Sequence, residues 1–188
     1  PDRLRRAIEH YGACGVVDAV RVVWSEQDQA PPAAGPRGAC ADVVYDRHPT
    51  PSLNNRFAPV EGLRTEAVLS VDDDVYLTCD SLRFGLEQWR RSPLALVGWV
   101  PRLAVGLGRG RYAYRHWWTV WWRGEYNIVL TKVALHHRDM LGLYTHSAPE
   151  ELLRYVERGR NCEDLLFQVV ATNATGVAPL LVQGTFRD

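Results

Sequence analysis

Ala67-Val68-Leu69-Ser70-Val71-Asp72-Asp73-Asp74 is the stretch of sequence that decides the fold. Its first five residues are almost continuously apolar, which is typical of a central strand covered on both faces. The predicted strand ends directly at three aspartates. Ligands of α/β sheets bind beyond the carboxyl ends of the strands. The aspartate triplet is therefore the first candidate site.

The sequence around this strand alternates between strand and helix patterns. The predicted strands are short apolar or β-branched runs, at residues 19–24, 41–45, 67–71 and 94–100. Apolar residues at helical spacing predict a helix over residues 4–11, one from about residue 81 to 92, one over 151–158 and one from 162 to about 173. A Pro/Gly-rich stretch at 30–38 predicts a loop, and Pro101 is predicted to stop a strand. The alternation predicts an α/β fold with a mixed, mostly parallel central sheet flanked by helices.

Length and charge exclude some function classes. The chain has 188 residues, with 22 basic and 22 acidic side chains and a formal net charge of zero. This length fits a single domain over residues 1–188. A neutral chain has no long-range field to attract a polynucleotide, so we expect no nucleic-acid partner. No apolar run approaches the roughly 18 residues of a membrane helix, and any membrane anchor is expected outside this chain.

The cysteines point to no particular site. Cys14, Cys40, Cys79 and Cys162 are scattered without a Cys-x-x-Cys spacing, so they predict neither a zinc site nor a disulfide framework. The sequon at residues 173–175 weakly favours a secretory compartment.

Three consecutive aspartates concentrate negative charge that their side chains cannot neutralise among themselves. Carboxylate oxygens suit Mg²⁺ and Mn²⁺, which complete their coordination shell with water and substrate phosphates. Asp72, Asp73 and Asp74 are therefore interpreted as a metal site that bridges the protein to a diphosphate, with a solvated acidic turn as the alternative.

Two further polar residues lie at predicted element ends. Asp164 lies in the first turn of a predicted helix whose N-cap is Asn161, where a carboxylate commonly satisfies only the helix dipole and the free amides. Arg102 follows Pro101 at a strand exit and faces either an anion or sugar, or an ordinary surface ion pair. The residues alone do not decide between these roles.

Aromatic residues are concentrated at 112–122. Trp and Tyr pack well in cores and also present flat apolar faces to sugar rings. We expect most of these rings to lie in the core, and Tyr114, beside a Gly/Arg-rich loop, to lie at the surface.

Five segments together resemble the C-terminal glycosyltransferase domain of the exostosins and exostosin-like proteins, which build heparan sulfate chains. They are residues 52–57, 65–74, 97–102, 126–131 and 161–164, and their order and approximate spacing also agree over about residues 22–179. The resemblance implies a GT-A fold, with a nucleotide-binding α/β half that carries the aspartates and an acceptor-binding half. It also implies that the domain lacks its first strand and its C-terminal segment.

The resemblance implies a retaining transfer of N-acetylhexosamine, either GlcNAc or GalNAc, from a UDP-sugar to a glycan acceptor. The implied acceptor is of the heparan sulfate type or a glycolipid, and the implied cofactor is Mn²⁺ or Mg²⁺. Exostosins work as complexes, so a homo-oligomer or hetero-oligomer of related transferases is implied. The implied location is the lumen of the Golgi or endoplasmic reticulum.

The same resemblance implies roles on the donor side of the site. Asp74, with Asp72, is the implied metal ligand, and Asp72 and Asp73 are implied to hold the ribose and the metal-bound diphosphate. Arg56 is implied to contact the nucleotide. Arg102 is implied to bind the donor and to face the transferred sugar.

On the sugar side, Asp164 is the implied catalytic residue, which either stabilises an oxocarbenium-like centre or positions the acceptor hydroxyl. Tyr114 and Asn161 are implied to help hold the donor or acceptor sugar. The family also has, beyond the last residue of this chain, a cysteine that could pair with Cys162.

The chain departs from the family pattern at a few positions. Ser25-Glu26 replaces a frequent Asn-Asn, Pro51 replaces a usual Asn, and Lys132 replaces a Gly. The changes at residues 25–26 and 51 motivate a second hypothesis, a non-catalytic relative that binds glycan or supports a partner transferase. A third hypothesis, a metal-dependent phosphoesterase, needs another clustered acidic or His ligand, and none stands out.

Overall fold

The computed structural model describes residues 2–32 and 41–187, which form a mixed α/β fold. The helices are α1 (Asp2–Gly12), α2 (Cys79–Arg91), α3 (Trp117–Arg123), α4 (Asp139–Ser147), α5 (Glu150–Gly159), α6 (Glu163–Thr175) and a 3₁₀-helix (Leu53–Phe57). The strands are β1 (Ala19–Trp24), β2 (Asp42–Arg47), β3 (Ala67–Val71), β4 (Tyr76–Leu77), β5 (Val97–Gly98), β6 (Pro101–Gly108), β7 (Arg111–Arg115), β8 (Ile128–Val129), β9 (Val133–His137), β10 (Leu180–Leu181) and β11 (Phe186–Arg187).

Local sequence explains two of the helix boundaries directly. Thr78 caps α2, because its hydroxyl oxygen accepts a hydrogen bond from the Ser81 N–H at 3.2 Å. Helix α6 ends at Gly176, which adopts the left-handed conformation with φ of 69°. The four predicted helices are confirmed as α1, α2, α5 and α6, and α6 begins at Glu163, one residue after its predicted start. The predicted loop at 30–38 lies largely outside the described residues.

The prediction of a mostly parallel central sheet is wrong for the four-stranded sheet. Its strand order is β10-β5-β9-β3; β9 runs antiparallel to both β5 and β3, and only β10 and β5 are parallel. The apolar stretch that forms β3 therefore lies at the edge of this sheet, while β9, with residues 133–136 buried, lies inside it. An apolar run indicates burial but contains no information on strand direction.

The other strands form smaller sheets. Strands β1 and β2 pair in parallel over six residues, and β4 pairs with β11 in the antiparallel sense. Strand β6 pairs with β7 on one side and with β8 on the other, both antiparallel. The α/β class is thus confirmed, but these pairings do not establish the single central sheet expected of a GT-A fold.

Pro101 begins a strand instead of ending one. Strand β6 extends from Pro101 to Gly108 and returns as β7 through a tight turn, in which Gly108, Arg109 and Gly110 all have positive φ. Proline is tolerated at the first position of a strand. The predicted strand at 94–100 is reduced to β5, although residues 95–100 are all buried.

Two clusters of apolar side chains form the core among the described residues. The larger one joins α1, α2 and the four-stranded sheet, and includes Trp89, Val97 and Leu135. The smaller one lies beneath α4, α5 and α6, and includes Phe57 stacked on Phe167 at 4.1 Å between ring centroids.

A disulfide joins Cys14 to Cys79, which ties the end of α1 to the start of α2. The sequence predicted no disulfide framework, because the two cysteines are 65 residues apart and only folding brings them together. Cys162 is a free cysteine, and Cys40 lies outside the described residues.

The aromatic residues at 112–122 do not pack in the core as predicted. The large rings of β7 and α3 are exposed, and Val120 is the residue through which α3 contacts the interior. Tyr114 lies at the surface, as predicted. Over residues 2–32 and 41–187, we find no helix with the length and apolar character needed to traverse a bilayer.

Candidate active site

The candidate site lies where β3 ends and β9 begins. Residues Val71 and Val133 are paired in the antiparallel ladder, and the Asp72 N–H donates to the Lys132 carbonyl at 3.0 Å. This pairing brings the turn before β9 next to the aspartate turn. Thr131 and Lys132 therefore become neighbours of Asp72.

Arg56 connects these two turns. One of its terminal nitrogens, Nη1, donates to Oδ1 of Asp72, and the other, Nη2, donates to the Thr131 carbonyl at 2.7 Å. The Arg56 Nε is buried and has no partner among the described residues. The planar guanidinium thus holds a carboxylate and a backbone carbonyl at one place, which a lysine could not do with the same geometry.

Hydrogen bonds of Asn54 hold the 3₁₀-helix that carries Arg56. The Asn54 amide donates to the Leu153 carbonyl at 3.0 Å, and the Tyr144 hydroxyl donates to Asn54 Oδ1 at 2.6 Å. Tyr144 is fully buried, so this hydrogen bond joins the 3₁₀-helix to the smaller core cluster. The backbone that carries Arg56 is therefore anchored to the core.

Asp164 lies in the first turn of α6 and accepts a hydrogen bond from the buried Thr131 hydroxyl. Burial raises the pKa of Asp164, while the Thr131 hydrogen bond and the Arg56 charge act in the opposite direction. Asp72, Arg56, Thr131 and Asp164 thus form one continuous hydrogen-bonded chain.

Gln168 holds the helix that carries Asp164. It lies one turn further along α6, where its Oε1 accepts from the Val129 N–H at 2.7 Å and its Nε2 donates to the Asn127 carbonyl at 2.8 Å. Because Gln168 is buried, these bonds lock α6 against β8. The turn with Asp164 cannot rotate without breaking them.

Arg102 and Tyr114 form the other side of the site. Arg102 lies on β6 and donates through Nη1 to the Pro101 carbonyl at 2.9 Å, and Tyr114 lies on the neighbouring β7. Burial raises the pKa of Tyr114, the Arg102 guanidinium opposes that rise, and the Asp164 carboxylate adds to it. Tyr114, Arg102 and Asp164 are therefore electrostatically coupled.

The remaining predicted residues lie at the margin. Asp73 is exposed and Asp74 is half-buried in the turn after β3. Asn161 is exposed, and its Oδ1 accepts from the Cys162 N–H at 2.7 Å. It is not the N-cap of α6 as predicted, because Cys162 occupies that position with φ of 74°.

The glycosyl transferase family 64 domain matches residues 1–187. The chain belongs to glycosyl transferase family 64. The match confirms the resemblance to the exostosins, and it classifies the chain as a glycosyltransferase domain.

Several known proteins are similar to this chain over nearly its whole length. Glycosylinositol phosphorylceramide mannosyl transferase 1 of Arabidopsis thaliana is 34% identical over 204 residues, which cover 100% of this chain and 60% of that protein. Exostosin-2 of Homo sapiens is 33% identical over 192 residues, covering 96% and 25%. Glucosamine inositolphosphorylceramide transferase 1 of Oryza sativa subsp. japonica is 32% identical over 179 residues, covering 92% and 23%. The chain thus spans between about a quarter and three fifths of these relatives.

The described side chains of this family 64 domain do not form a complete metal site by themselves. Asp72 and Asp74 lie in one turn, but the described residues contain no group of three or more His, Cys, Asp or Glu side chains that could hold a metal. Mg²⁺ and Mn²⁺ commonly bind through one or two carboxylates plus substrate phosphates. This donor set fits a cation shared with a diphosphate.

Sequence reasoning missed three residues of the site. The family resemblance assigns no role to Thr131 and marks Lys132 only as a departure, although the Lys132 charge opposes the rise in the pKa of Asp164. No sequence motif includes Gln168. A polar side chain on the apolar face of α6 was the signal that could have identified it.

Proposed function

We propose that this family 64 domain transfers a sugar from a nucleoside diphosphate sugar to the glycan of a membrane lipid. The observation that supports the proposal most is the hydrogen-bonded chain from Asp72 through Arg56 and Thr131 to Asp164. It joins a turn suited to a diphosphate to a buried carboxylate suited to a developing positive charge.

In this proposal, the donor diphosphate binds at the turn after β3. Asp72 and Asp74 hold Mn²⁺ or Mg²⁺, Asp73 contacts the ribose, and Arg56 keeps Asp72 in place while it faces the nucleotide. The bound cation supplies a Lewis acid that stabilises the charge on the departing diphosphate.

Asp164 acts on the transferred sugar. In a transfer with retention, positive charge develops at the anomeric carbon as the bond to the diphosphate breaks. The Asp164 carboxylate stabilises that charge, and the Thr131 hydroxyl holds the carboxylate in one orientation. Arg102 and Tyr114 contact the sugar from the side of β6 and β7, and Asn161 contacts it from the start of α6.

The donor sugar has two candidates. Mannose is favoured because the Arabidopsis thaliana protein, 34% identical over 100% of this chain, is named as a mannosyl transferase. N-acetylhexosamine from a UDP-sugar is the second candidate and is favoured by the similarity to exostosin-2. The names of the Arabidopsis and Oryza proteins support an inositol phosphorylceramide lipid as the acceptor.

The disulfide bears on the cellular location of the protein. Disulfides form and persist in oxidising lumens and are rare in the cytosol. The Cys14–Cys79 bond therefore supports the Golgi or endoplasmic reticulum lumen as the proposed location. The proposal includes a membrane anchor outside residues 1–188. Assembly with related transferases remains part of the proposal.

A donor panel tests the proposal. The protein is incubated with Mn²⁺ and nucleotide-activated mannose, N-acetylglucosamine or N-acetylgalactosamine, with and without a glycosylated inositol phosphorylceramide, and both hydrolysis and transfer are measured. We expect transfer from one donor, abolished in Asp164→Asn and retained in Glu157→Gln, an exposed carboxylate on α5.

Nucleotide binding is measured separately. We expect Mn²⁺ with a nucleoside diphosphate to raise Tm, and Asp74→Ala to remove most of that rise, while Asp80→Ala on the exposed surface of α2 keeps it. A rise in Tm with no turnover of any donor would favour the non-catalytic hypothesis. No rise and no turnover would contradict the donor site itself.

A further inference from the structure

An exposed aromatic surface lies beside the site. We define the aromatic face as the four tryptophans of α3 together with Tyr112 and Tyr114 of β7. The exposed fractions are 47% for Trp117, 63% for Trp118, 73% for Trp121, 83% for Trp122, 73% for Tyr112 and 42% for Tyr114. By contrast, Trp89 and Trp99 lie in the core and are each 4% exposed.

Helix geometry places the four tryptophans on one side. At about 100° per residue, positions 117, 118, 121 and 122 fall within an arc of about 140°. Val120 lies outside that arc and is buried. Trp117 stacks on Trp118, with ring centroids 3.8 Å apart. The four tryptophan rings therefore lie on one side of α3 and face away from the core.

The surface is larger than a folded monomer ordinarily leaves in water. A large aromatic side chain presents about 150–250 Å², so six rings exposed to this extent present on the order of 700 Å² of mostly apolar area. The largest apolar patch of a typical soluble monomer is about 300–600 Å² and is often functional. An area of this size indicates a surface that is covered in the working protein.

The segment that carries the aromatic face is positively charged. Arg109, Arg111, Arg115 and Arg123 are exposed in the same hairpin and helix, and Glu125 is the one exposed carboxylate between residues 106 and 126. The whole chain has no net charge, so this excess is local. Tryptophan and tyrosine are enriched where proteins meet the headgroup region of a bilayer, and arginines there attract anionic lipids.

We propose that the aromatic face binds the surface of a bilayer that contains anionic lipids. The tryptophans of α3 enter the headgroup region, and the arginines of the hairpin and of the end of α3 add electrostatic attraction to anionic lipids. Tyr114 belongs both to this face and to the site with Arg102 and Asp164. A bilayer bound here would therefore meet the opening of the site.

This inference goes beyond sugar transfer. Binding to a bilayer requires neither a donor nor a divalent cation, and it predicts how the domain is oriented on a membrane. The two proposals fail separately, because vesicle binding is measured without donor, and donor binding is measured without vesicles.

Flotation with vesicles tests the proposal. The probes are vesicles of phosphatidylcholine alone and of phosphatidylcholine mixed with phosphatidylinositol, an anionic lipid that shares the inositol phosphate group of the proposed acceptor. We expect the protein to float with the mixed vesicles and to bind them at least tenfold more tightly than the neutral ones. Lipids brominated near the headgroup should quench the fluorescence of the exposed tryptophans. Trp89 and Trp99 are buried, so their fluorescence should not be quenched.

Matched variants separate the aromatic and the charged contributions. Trp121→Ala combined with Trp122→Ala should weaken binding to mixed vesicles at least tenfold, without changing the Tm rise caused by Mn²⁺ and nucleoside diphosphate. Tyr155→Ala on α5, which removes a ring that is 58% exposed, should leave vesicle binding unchanged. Arg111→Gln or Arg123→Gln should each weaken binding to mixed vesicles about fivefold, and Arg90→Gln on α2 should not.

Other outcomes would overturn the proposal. If vesicles do not bind, and the Trp121→Ala, Trp122→Ala variant instead converts a dimer into a monomer, the face is an interface between copies of the chain. If a soluble oligosaccharide protects the tryptophans from quenching by iodide while vesicles do not bind, the face is a glycan platform. Equal binding by wild type and the double variant would exclude the aromatic face as the bilayer contact.

Discussion

The Thr131 hydroxyl donates a hydrogen bond to Oδ1 of Asp164, which joins the turn before β9 to the first turn of α6. Thr131 is fully buried, so its hydroxyl has no water to replace this partner. The same residue accepts from Arg56 through its carbonyl. Thr131 is therefore the residue that couples the aspartate turn to the carboxylate of α6.

Thr131→Val should damage transfer through Asp164. The substitution keeps the shape but removes the donor, and a lost hydrogen bond to a charged group corresponds to about 1.5–3 kcal/mol. Without that bond the pKa of Asp164 should rise further, so the acidic limb of the kcat profile should move to higher pH, and kcat should fall about tenfold or more. A pH series of kcat and KM measures both effects.

Thr131→Ser is the matched control, because it retains the hydroxyl. It should keep the wild-type pH profile even if it loses some stability. Identical profiles in the Val and Ser variants would show that the hydrogen bond does not govern Asp164.

Asp164→Asn should stabilise the protein while it abolishes transfer. The pKa of Asp164 is raised above its ordinary value of 3.8, so the folded state holds the proton more tightly than the unfolded state does. Ionisation of this residue therefore lowers stability above the folded pKa, and this penalty disappears below the unfolded pKa. The gain in the free energy of unfolding from Asp164→Asn should be largest near pH 7 and shrink as the pH falls.

Urea unfolding at several pH values measures this gain. Glu157→Gln, which replaces an exposed carboxylate, should show little change at any pH. A gain in Asp164→Asn that grows as the pH falls would contradict the sign of the pKa shift.

His136 should make the fold sensitive to acid. Burial lowers the pKa of His136 from 6.5 to about 4, and its ring contacts the Ser70 hydroxyl at 3.0 Å. Between about pH 6.5 and pH 4, His136 is protonated in the unfolded state but not in the folded state. The free energy of unfolding therefore falls as the pH decreases through this range. Between pH 7 and pH 5 the loss should be on the order of 2 kcal/mol.

Chemical unfolding of wild type and His136→Gln at pH 7 and pH 5 tests this prediction. The variant should be less stable at pH 7 but should lose less on acidification than wild type does. His146→Gln, at an exposed position on α4, should behave like wild type. Equal acid sensitivity in all three proteins would assign the effect to other groups.

The Cys14–Cys79 disulfide should contribute about 2–4 kcal/mol to the free energy of unfolding, because it closes a loop of 65 residues in the unfolded chain. Replacing both cysteines by alanine should lower stability by that amount in a denaturant titration. Cys162→Ala removes a free thiol and should have a small effect. A double variant as stable as wild type would show that the bond is not formed in the folded protein.

Gly85→Ala should destabilise the contact between α2 and the core. A Cβ at residue 85 would overlap the buried ring of Trp99 and approach Leu135 to 3.4 Å. Such overpacking typically costs about 1–3 kcal/mol. Gly142→Ala is the matched control in α4, because nothing lies within 4 Å of its Cβ, and it should gain about 0.5–1 kcal/mol. Thermal unfolding of the two variants should therefore shift in opposite directions.

The sequence by itself determined the local elements and the chemistry of their ends. Helical spacing identified α1, α2, α5 and α6, since it depends on neighbours along the chain, whereas the predicted N-cap of α6, Asn161, was wrong. The apolar run before Asp72 located β3 and the candidate diphosphate turn. Family resemblance then selected Asp164, which by its position in a helix alone was unremarkable.

Only the tertiary structure decided which of these elements meet. It placed β9 between β5 and β3 and joined Cys14 to Cys79, and it made Thr131 the link between Arg56 and Asp164. It also turned the tryptophans of α3 outward, although their composition predicted a core. Strand direction, long-range pairing and the side of a helix that is covered depend on contacts between distant segments, and local patterns of hydrophobicity do not encode them.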